Sequence, residues 1–570
     1  MSSRTEEALA TRRRSKSAAE AQAPDVLFFP ENSRAEWLVT LAVFVVSCTY
    51  LRLFRDVMTF NLDEGVSLQG AARILHGQVL YRDFFSFLTP GSFYWTALFF
   101  RIFGASIPVA RTLLVVCGGL YSSLTYLITR RVCSRWTSFA AAYLVLISTL
   151  PSRFIAMHNW DSTLWALVAI YSAVLFLQTG RPLAAFATGT FTAWTFLFEQ
   201  SKGACLGLAL FIAFAWIAWL RRESPLRAPS RWFAAAGGFL WPFLLVIAYW
   251  AHCGALGQMW NDWLWPIHHY TTANAVSYGT IFTSYQDWND VFENPSWTAR
   301  GISVLVLSPC YVIDLLPIFA LGALFVGARE MFRERGRQST LSYYFLVSAV
   351  VCGVALSVVI SRRADVAHLI WVGPVLFLML PWLIHGSKVV RWVPAAGRPA
   401  LKVFLLGSFS FYGLMLCWSG LNCSKPIESR RGTLEVAGEN GGLSYLMAYT
   451  HSGGKVFIYP YSPLLNFLTD TYSPARFDYL QPGMHTSQQF EESVHAVRAD
   501  RTPLVLYDLS FFANLLPDFW PSTPAEALAE EPIRNLLIST YHPCAVVGSG
   551  RVRFVAFWRK DLPCPPNPTP

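Results

Sequence analysis

Apolar runs of about twenty residues, broken by short polar turns, recur between residues 36 and 420, and as helices such runs match the thickness of a bilayer core. They predict spans over 36–55, 107–129, 136–151, 162–178, 183–198, 203–220, 231–251, 302–327, 341–360, 366–385 and 400–420. One further apolar stretch, PGSFYWTALFFRIFG at 90–104, is shorter, opens on Pro-Gly and carries Arg101 near its end. It suits an interfacial or re-entrant helix better than a crossing. Beyond residue 420 the pattern changes. KVFIYPY (455–461), PLVLYD (503–508) and RVRFVAFW (551–558) read as strands, and SQQFEESVHAVRAD (487–500) as an amphipathic helix. The expected fold class is a polytopic α-helical membrane protein with about 11 transmembrane helices, followed by a small C-terminal α/β domain.

Charge orients these spans. If 90–104 does not cross, the basic loops TRRVCSR, QTGRP, LRRESPLRAPSR, AREMFRERGRQ and HGSKVVRWVPAAGRPALK all fall on one side, together with Arg12, Arg13, Arg14 and Lys16. Lys and Arg accumulate on the cytoplasmic side of membrane proteins, so this arrangement is preferred to its inverse. Three regions follow: a disordered cytoplasmic N-terminus over 1–34, a transmembrane domain over 35–420 with a first external loop at 56–106, and an extracytoplasmic α/β domain over 421–570. The N-terminal segment lacks a small-residue cleavage motif and is not expected to be a cleaved signal.

Composition agrees with this picture. Of 570 residues 54% are hydrophobic and 14% charged, against roughly 25% charged in soluble proteins. The net charge of +10 sits at the ends of apolar runs, which points to membrane orientation and away from nucleic acid. The eleven cysteines form no CxxC pattern, so metal or redox use is not expected. Cys48, Cys117, Cys205 and Cys352 lie inside apolar runs and read as packing residues, whereas Cys544 and Cys564 lie where an oxidising compartment would allow them to pair.

The same topology collects ionisable groups on the external side. Asp63 and Glu64 stand in NLDEGVSLQG, and Tyr81, Arg82 and Asp83 in GQVLYRDFFSFLTPG. MHNWDS supplies His158, Asn159 and Asp161; FEQSKG supplies Glu199, Gln200 and Lys202; SRRADVAHL supplies Arg362, Arg363, Asp365 and His368. A long loop over 252–300 adds His268, His269, Tyr270, Asp287 and Asp290 among many aromatics, as an interfacial belt or a lid. Each group has a plain reading as well. Acids favour a helix N-terminus, His158, Asn159 and Asp161 could cap a helix, and Lys202 could mark a membrane boundary. Ionisable groups at membrane depth are costly, however, and usually functional.

The stretch NLDEGVSLQGAARILHGQVLYRDFFSFLTPGSFYWTALFFRIFG (61–104), with IPVARTLLVVCGGLYSSLTYLITRRV behind it, resembles the membrane glycosyltransferases of the GT-C superfamily. The likeness is greatest to protein O-mannosyltransferases, lipid A aminoarabinose transferases and the bacterial dolichyl-phosphate-mannose-protein mannosyltransferase group. An acidic pair in the first external loop, a Tyr-x-Asp segment and a Pro before a juxtamembrane helix carry it, here Asp63-Glu64, Tyr81-Arg82-Asp83 and Pro90. The sequence departs from relatives with His-Pro-Pro or Lys-Pro, having Leu88-Thr89-Pro90 instead.

The resemblance implies an inverting transfer of a sugar from a polyprenyl-phosphate donor to a lipid, glycan or protein acceptor. The reaction would occur on the outer face of a bacterial inner membrane, with the N-terminus cytoplasmic. Asp63 is the expected base, with Glu64 and Asp83 assisting. Lys202, Arg362 and Arg363 are expected on the donor phosphate. Tyr81, Arg82, His158, Asn159, Asp161, Glu199, Gln200, Asp365 and His368 would support the site or bind the acceptor. Some such enzymes use a divalent ion; Mg, Mn or Ca would suit Asp63, Glu64 and Asp83. The rival readings are a transporter or flippase, whose sites lie nearer the midplane, and a non-catalytic glycan-binding scaffold.

Overall fold

A computed structural model describes residues 34–58, 62–221, 225–270, 273–279, 296–334, 339–385, 397–423, 425–436, 438, 440–549 and 552–566. The expected N-terminal tail and the loop residues Asp287 and Asp290 lie outside these.

The apolar runs fold as helices α1 (Arg34–Leu51), α2 (Leu62–Leu75), α3 (Gly91–Phe103), α4 (Ile107–Arg130), α5 (Arg135–Ser148), α6 (His158–Thr179), α7 (Pro182–Phe198), α8 (Gln200–Leu220), α9 (Pro229–His252), α10 (Leu256–Trp265), α11 (Trp297–Arg333), α12 (Ser339–Ile360), α13 (Val366–Leu376), α14 (Leu380–His385) and α15 (Arg398–Leu421). Local chemistry sets many of the boundaries. Ser106 and Ser134 accept from Val109 N and Thr137 N and so cap α4 and α5. Gly180 closes α6 with φ +60° and Pro182 opens α7.

Among the described residues eight helices are long and apolar enough to cross a membrane: α1, α4, α6, α8, α9, α11, α12 and α15. The chain is a multi-pass membrane protein. Three of the eleven expected spans are shorter helices: α5 with 14 residues, α7 with 17, and the broken α13–α14 segment. The ambiguous 90–104 stretch is the 13-residue helix α3, too short to span about 30 Å at 1.5 Å per residue.

Two sheets follow α15. The first joins β1 (Val57–Met58) in parallel to β3 (Gly432–Val436), which pairs antiparallel with β2 (Lys425–Ser429). It ties the segment after the first helix to the segment after the last. The second has the order β4 (Val456–Tyr459), β5 (Leu504–Asp508), β7 (Val552–Arg559), β6 (Tyr541–Ser549). Helices α16 (Gly441–Tyr449), α17 (Pro463–Leu468), α18 (Ser487–Ala499) and α19 (Arg534–Thr540), with shorter helical turns between residues 511 and 528, belong to this C-terminal domain. A disulfide joins Cys544 and Cys564.

The membrane region and the C-terminal domain share a core. Leu68, Ala71 and Ala72 of α2 pack with Leu464, Leu465 and Leu468 of α17. A Cβ on Gly65 would come within 2.0 Å of Leu464 N, so only glycine allows the two helices this close. Arg73 crosses the same joint to Asp478 at 2.7 Å, with both side chains nearly buried.

Candidate active site

The joint leaves a cavity of about 390 Å³. Its walls combine the first turn of α2, the start of α6, the α7–α8 junction, α10 and the chain after it, the α12–α13 turn, and three segments of the C-terminal domain.

Asp63 and Glu64 occupy the first turn of α2, and successive helical residues point about 100° apart. Asp63 faces the cavity, where Tyr461 donates its hydroxyl to Oδ1 at 2.7 Å. Burial first, then the charge of Asp63, pushes the Tyr461 phenol well above its ordinary pKa, so it stays a donor. Glu64 turns the other way. Arg111 of α4 grips it through Nε–Oε1 at 3.0 Å and Nη2–Oε2 at 2.7 Å, with both side chains fully buried, and Ala156 N donates to Oε1 at 2.9 Å. Its oxygens are therefore engaged away from the cavity, and the expected role toward an acceptor is corrected to a structural one.

His158, Asn159, Glu199 and Gln200 also line the cavity. Glu199 is anchored through Oε2, which takes Lys202 Nζ at 2.7 Å, Ser162 Oγ at 2.7 Å and Asn159 Nδ2 at 3.4 Å. Gln200 Nε2 donates to Phe87 O at 2.9 Å. Lys202 is fully buried and also donates to Asn159 O, Ser162 Oγ and Thr163 Oγ1. With every contact taken inside the protein, Lys202 is not on the cavity wall, and its expected phosphate role is corrected: it holds Glu199 in place. Asp161 lies behind the wall, accepting from Ser92 Oγ at 2.7 Å.

The α12–α13 turn splits its two arginines. Arg363 is buried on the cavity wall, with Nε 3.0 Å from Asp365 Oδ2, Nη1 3.3 Å from Asn274 Oδ1, and its guanidinium over the Trp520 ring. Arg362 is exposed, with φ +55°, and does not line the cavity; its phosphate role is corrected for that reason. Asp365 caps α13 and takes His368 Nδ1 at 2.8 Å, and His368 reaches the cavity. Burial opposes ionisation of Asp365, but His368 and then Arg363 outweigh it and hold the carboxyl well below its usual range.

The Tyr81-Arg82-Asp83 segment stands apart from the cavity. Asp83 is clamped by Arg82 through two bonds of 2.8 Å and accepts from Val79 N at 2.7 Å. Tyr81 is fully buried, donating to Leu88 O at 2.8 Å and accepting from Trp263 Nε1 at 2.7 Å. This segment shapes the loop, and its expected place in the site is corrected. A divalent ion on Asp63, Glu64 and Asp83 does not fit: the first faces the cavity, the second is spent on Arg111, and the third on Arg82.

Sequence reasoning missed Tyr461, Tyr479, Met484, Trp520 and Asn274, which also line the cavity. The only signal was an aromatic density in YPYSP, DYLQPG and FWP, which does not by itself distinguish a core from a site.

Residues 88–250 match the dolichyl-phosphate-mannose-protein mannosyltransferase family. Among solved structures, apo ArnT from Cupriavidus metallidurans aligns with 92% of this chain and 98% of its own, at 13% identity and a TM-score of 0.53. ArnT of the same organism bound to undecaprenyl phosphate aligns over 92% and 98%, at 12% identity and 0.49. The apo oligosaccharyltransferase of Archaeoglobus fulgidus aligns over 83% and 70%, at 14% identity and 0.45. No curated protein sequence matches the chain. The chain thus shares the fold of ArnT, and its residues 88–250 match the mannosyltransferase family.

Proposed function

We propose that the protein is an inverting glycosyltransferase that moves a sugar from a polyprenyl-phosphate donor to a hydroxyl of a lipid, glycan or protein acceptor. The observation that carries this reading is a carboxylate and a guanidinium on one cavity wall at the edge of the membrane region, Asp63 and Arg363. The matched family is named for an enzyme whose donor is dolichyl-phosphate-mannose, which supports the donor class. The arginine-rich loops support a cytoplasmic N-terminus and a reaction on the outer face of a bacterial inner membrane.

In this reading the acceptor oxygen attacks the anomeric carbon and its proton passes to Asp63. The bond from that carbon to the phosphate oxygen breaks, its electron pair goes to the phosphate, and the lipid phosphate leaves toward Arg363. Arg363, locked by Asp365 and Asn274, meets the growing charge without rearranging. His158, His368 and Glu199 supply polar contacts to the sugar or acceptor.

The test is release of lipid phosphate when purified protein meets a panel of polyprenyl-phosphate sugars. Asp63→Asn is expected to lower turnover by about 10²–10⁴-fold, the range for a lost general base, while its thermal unfolding stays that of the wild type. A stable Asp63→Asn protein with full activity would sink the base assignment.

A further inference from the structure

The C-terminal domain contributes Tyr461, Tyr479, Met484 and Trp520 to the cavity lining. Three of these rings cluster at the cavity, tilted to one another by 53–56° where Tyr461 meets Trp520 and Tyr479. Tyr461 lies 4.7 Å from Tyr479 and 5.7 Å from Trp520 between centroids, and Phe511 backs Trp520 at 5.7 Å. The ends of this cluster touch the two groups given chemical roles above. Tyr461 donates to Asp63 at 2.7 Å, and Trp520 lies under the Arg363 guanidinium at 6.0 Å. Along the wall the order is therefore Asp63, Tyr461, Trp520, Arg363.

An inverting displacement fixes where the sugar must lie. The incoming oxygen and the leaving phosphate stand on opposite faces of the anomeric carbon, so the ring sits between the base and the phosphate cation. On this wall that position belongs to Tyr461 and Trp520. Aromatic faces suit it, because a sugar ring presents C–H groups that pack on a π-surface while its hydroxyls reach polar neighbours. Here the polar neighbours are His158 at the start of α6 and Glu199 at the α7–α8 junction.

We propose that the C-terminal domain supplies the platform for the transferred sugar, with Trp520 and Tyr461 as its contact faces and Tyr461 also positioning Asp63. The inference rests on the transfer reading above. It makes the C-terminal domain part of the donor site and assigns sugar preference to residues far from the family-matched segment.

The test is equilibrium binding by the full chain in detergent, using undecaprenyl phosphate and undecaprenyl phosphate bearing mannose, glucose or aminoarabinose. The wild type is expected to bind at least one sugar-bearing lipid about ten-fold more tightly than the bare lipid, the size of a good aromatic contact. Trp520→Leu should erase that preference, so that sugar-bearing and bare lipid bind alike, while Trp520→Phe should keep most of it. Tyr461→Phe retains the ring, so it should bind sugar lipid like the wild type yet release lipid phosphate about ten-fold more slowly, as expected for a lost hydrogen bond to the base. Sugar preference surviving in Trp520→Leu overturns the platform. A changed acceptor KM with unchanged donor binding overturns it too, by moving the ring contact to the acceptor. Failure of the wild type to bind any of these lipids would instead remove the transfer reading on which the platform rests.

Discussion

Asp63 and Glu64 are neighbours in sequence and opposites in environment. Asp63 faces a cavity and accepts from the Tyr461 hydroxyl, whereas Glu64 meets a fully buried arginine and a backbone amide. One helical turn thus carries a group exposed to a ligand and a group that fastens α2 to α4. The difference teaches that an acidic pair beside a membrane is not a unit: rotation about the helix axis separates chemistry from anchorage. Arg111, on an apolar run at residue 111, is the partner that decides which acid does which.

The sharpest way to break this comparison is to remove each acid in turn. Glu64→Ala leaves Arg111 charged and buried without its partner, which should cost about 3–5 kcal/mol of stability. Asp63→Ala should cost less, about 1–2 kcal/mol, for the buried Tyr461 hydroxyl that loses its acceptor. Thermal unfolding in detergent measures both. The double variant Glu64→Met with Arg111→Leu should recover most of the loss, because no lone charge remains. If Glu64→Ala kept wild-type stability but lost transfer, Glu64 would belong to the reaction and the division of roles would fail.

The next effect concerns the disulfide of the C-terminal domain. The disulfide Cys544–Cys564 closes a loop with a sequence separation of 20 residues and includes no cavity residue. Replacing both cysteines with serine should lower stability by about 2–4 kcal/mol without altering lipid-phosphate release at a temperature where the domain remains folded. Limited proteolysis with and without reductant reads the first, and the turnover assay the second. Loss of turnover in a folded variant would mean that this edge of the domain communicates with the cavity.

Much of the architecture was legible in the chain. The arginine-rich loops required 90–104 not to cross, and α3 is a 13-residue helix. The strands at 456–459, 504–508 and 552–559 and the helix at 487–499 follow the polar and apolar alternation. The site was legible by region and not by direction. The turns near Asp63, His158, Glu199 and Arg363 do converge on one cavity. Which side chain of each turn enters it depends on helix phase and on partners up to 405 residues away, such as Arg73 with Asp478. The Tyr81-Arg82-Asp83 motif misled because its residues satisfy one another locally, a pairing that a list of external polar residues does not reveal. The aromatic wall was illegible for a different reason: Tyr461 and Trp520 are simultaneously core and surface of the cavity.

The smallest effect gives the finest version of the same contrast, because Arg362 and Arg363 are again neighbours with opposite settings. Arg363 is buried, held by Asp365 and Asn274, and faces the cavity; Arg362 is exposed with a left-handed backbone. A charge-assisted hydrogen bond to phosphate contributes about 1.5–3 kcal/mol, so Arg363→Gln should weaken undecaprenyl-phosphate binding by about ten-fold or more. Arg362→Gln should shift it by less than about two-fold, as expected for a screened surface charge. Arg363→Lys keeps the charge but loses the fork that engages Asp365 and Asn274 together, so it should fall between the two. Binding measured at low and high salt separates a directed contact from general attraction, since the Arg362 effect should vanish at high salt and the Arg363 effect persist. If both glutamine variants bound alike, the phosphate would lie elsewhere on the wall, and the order from Asp63 to Arg363 would lose its far end.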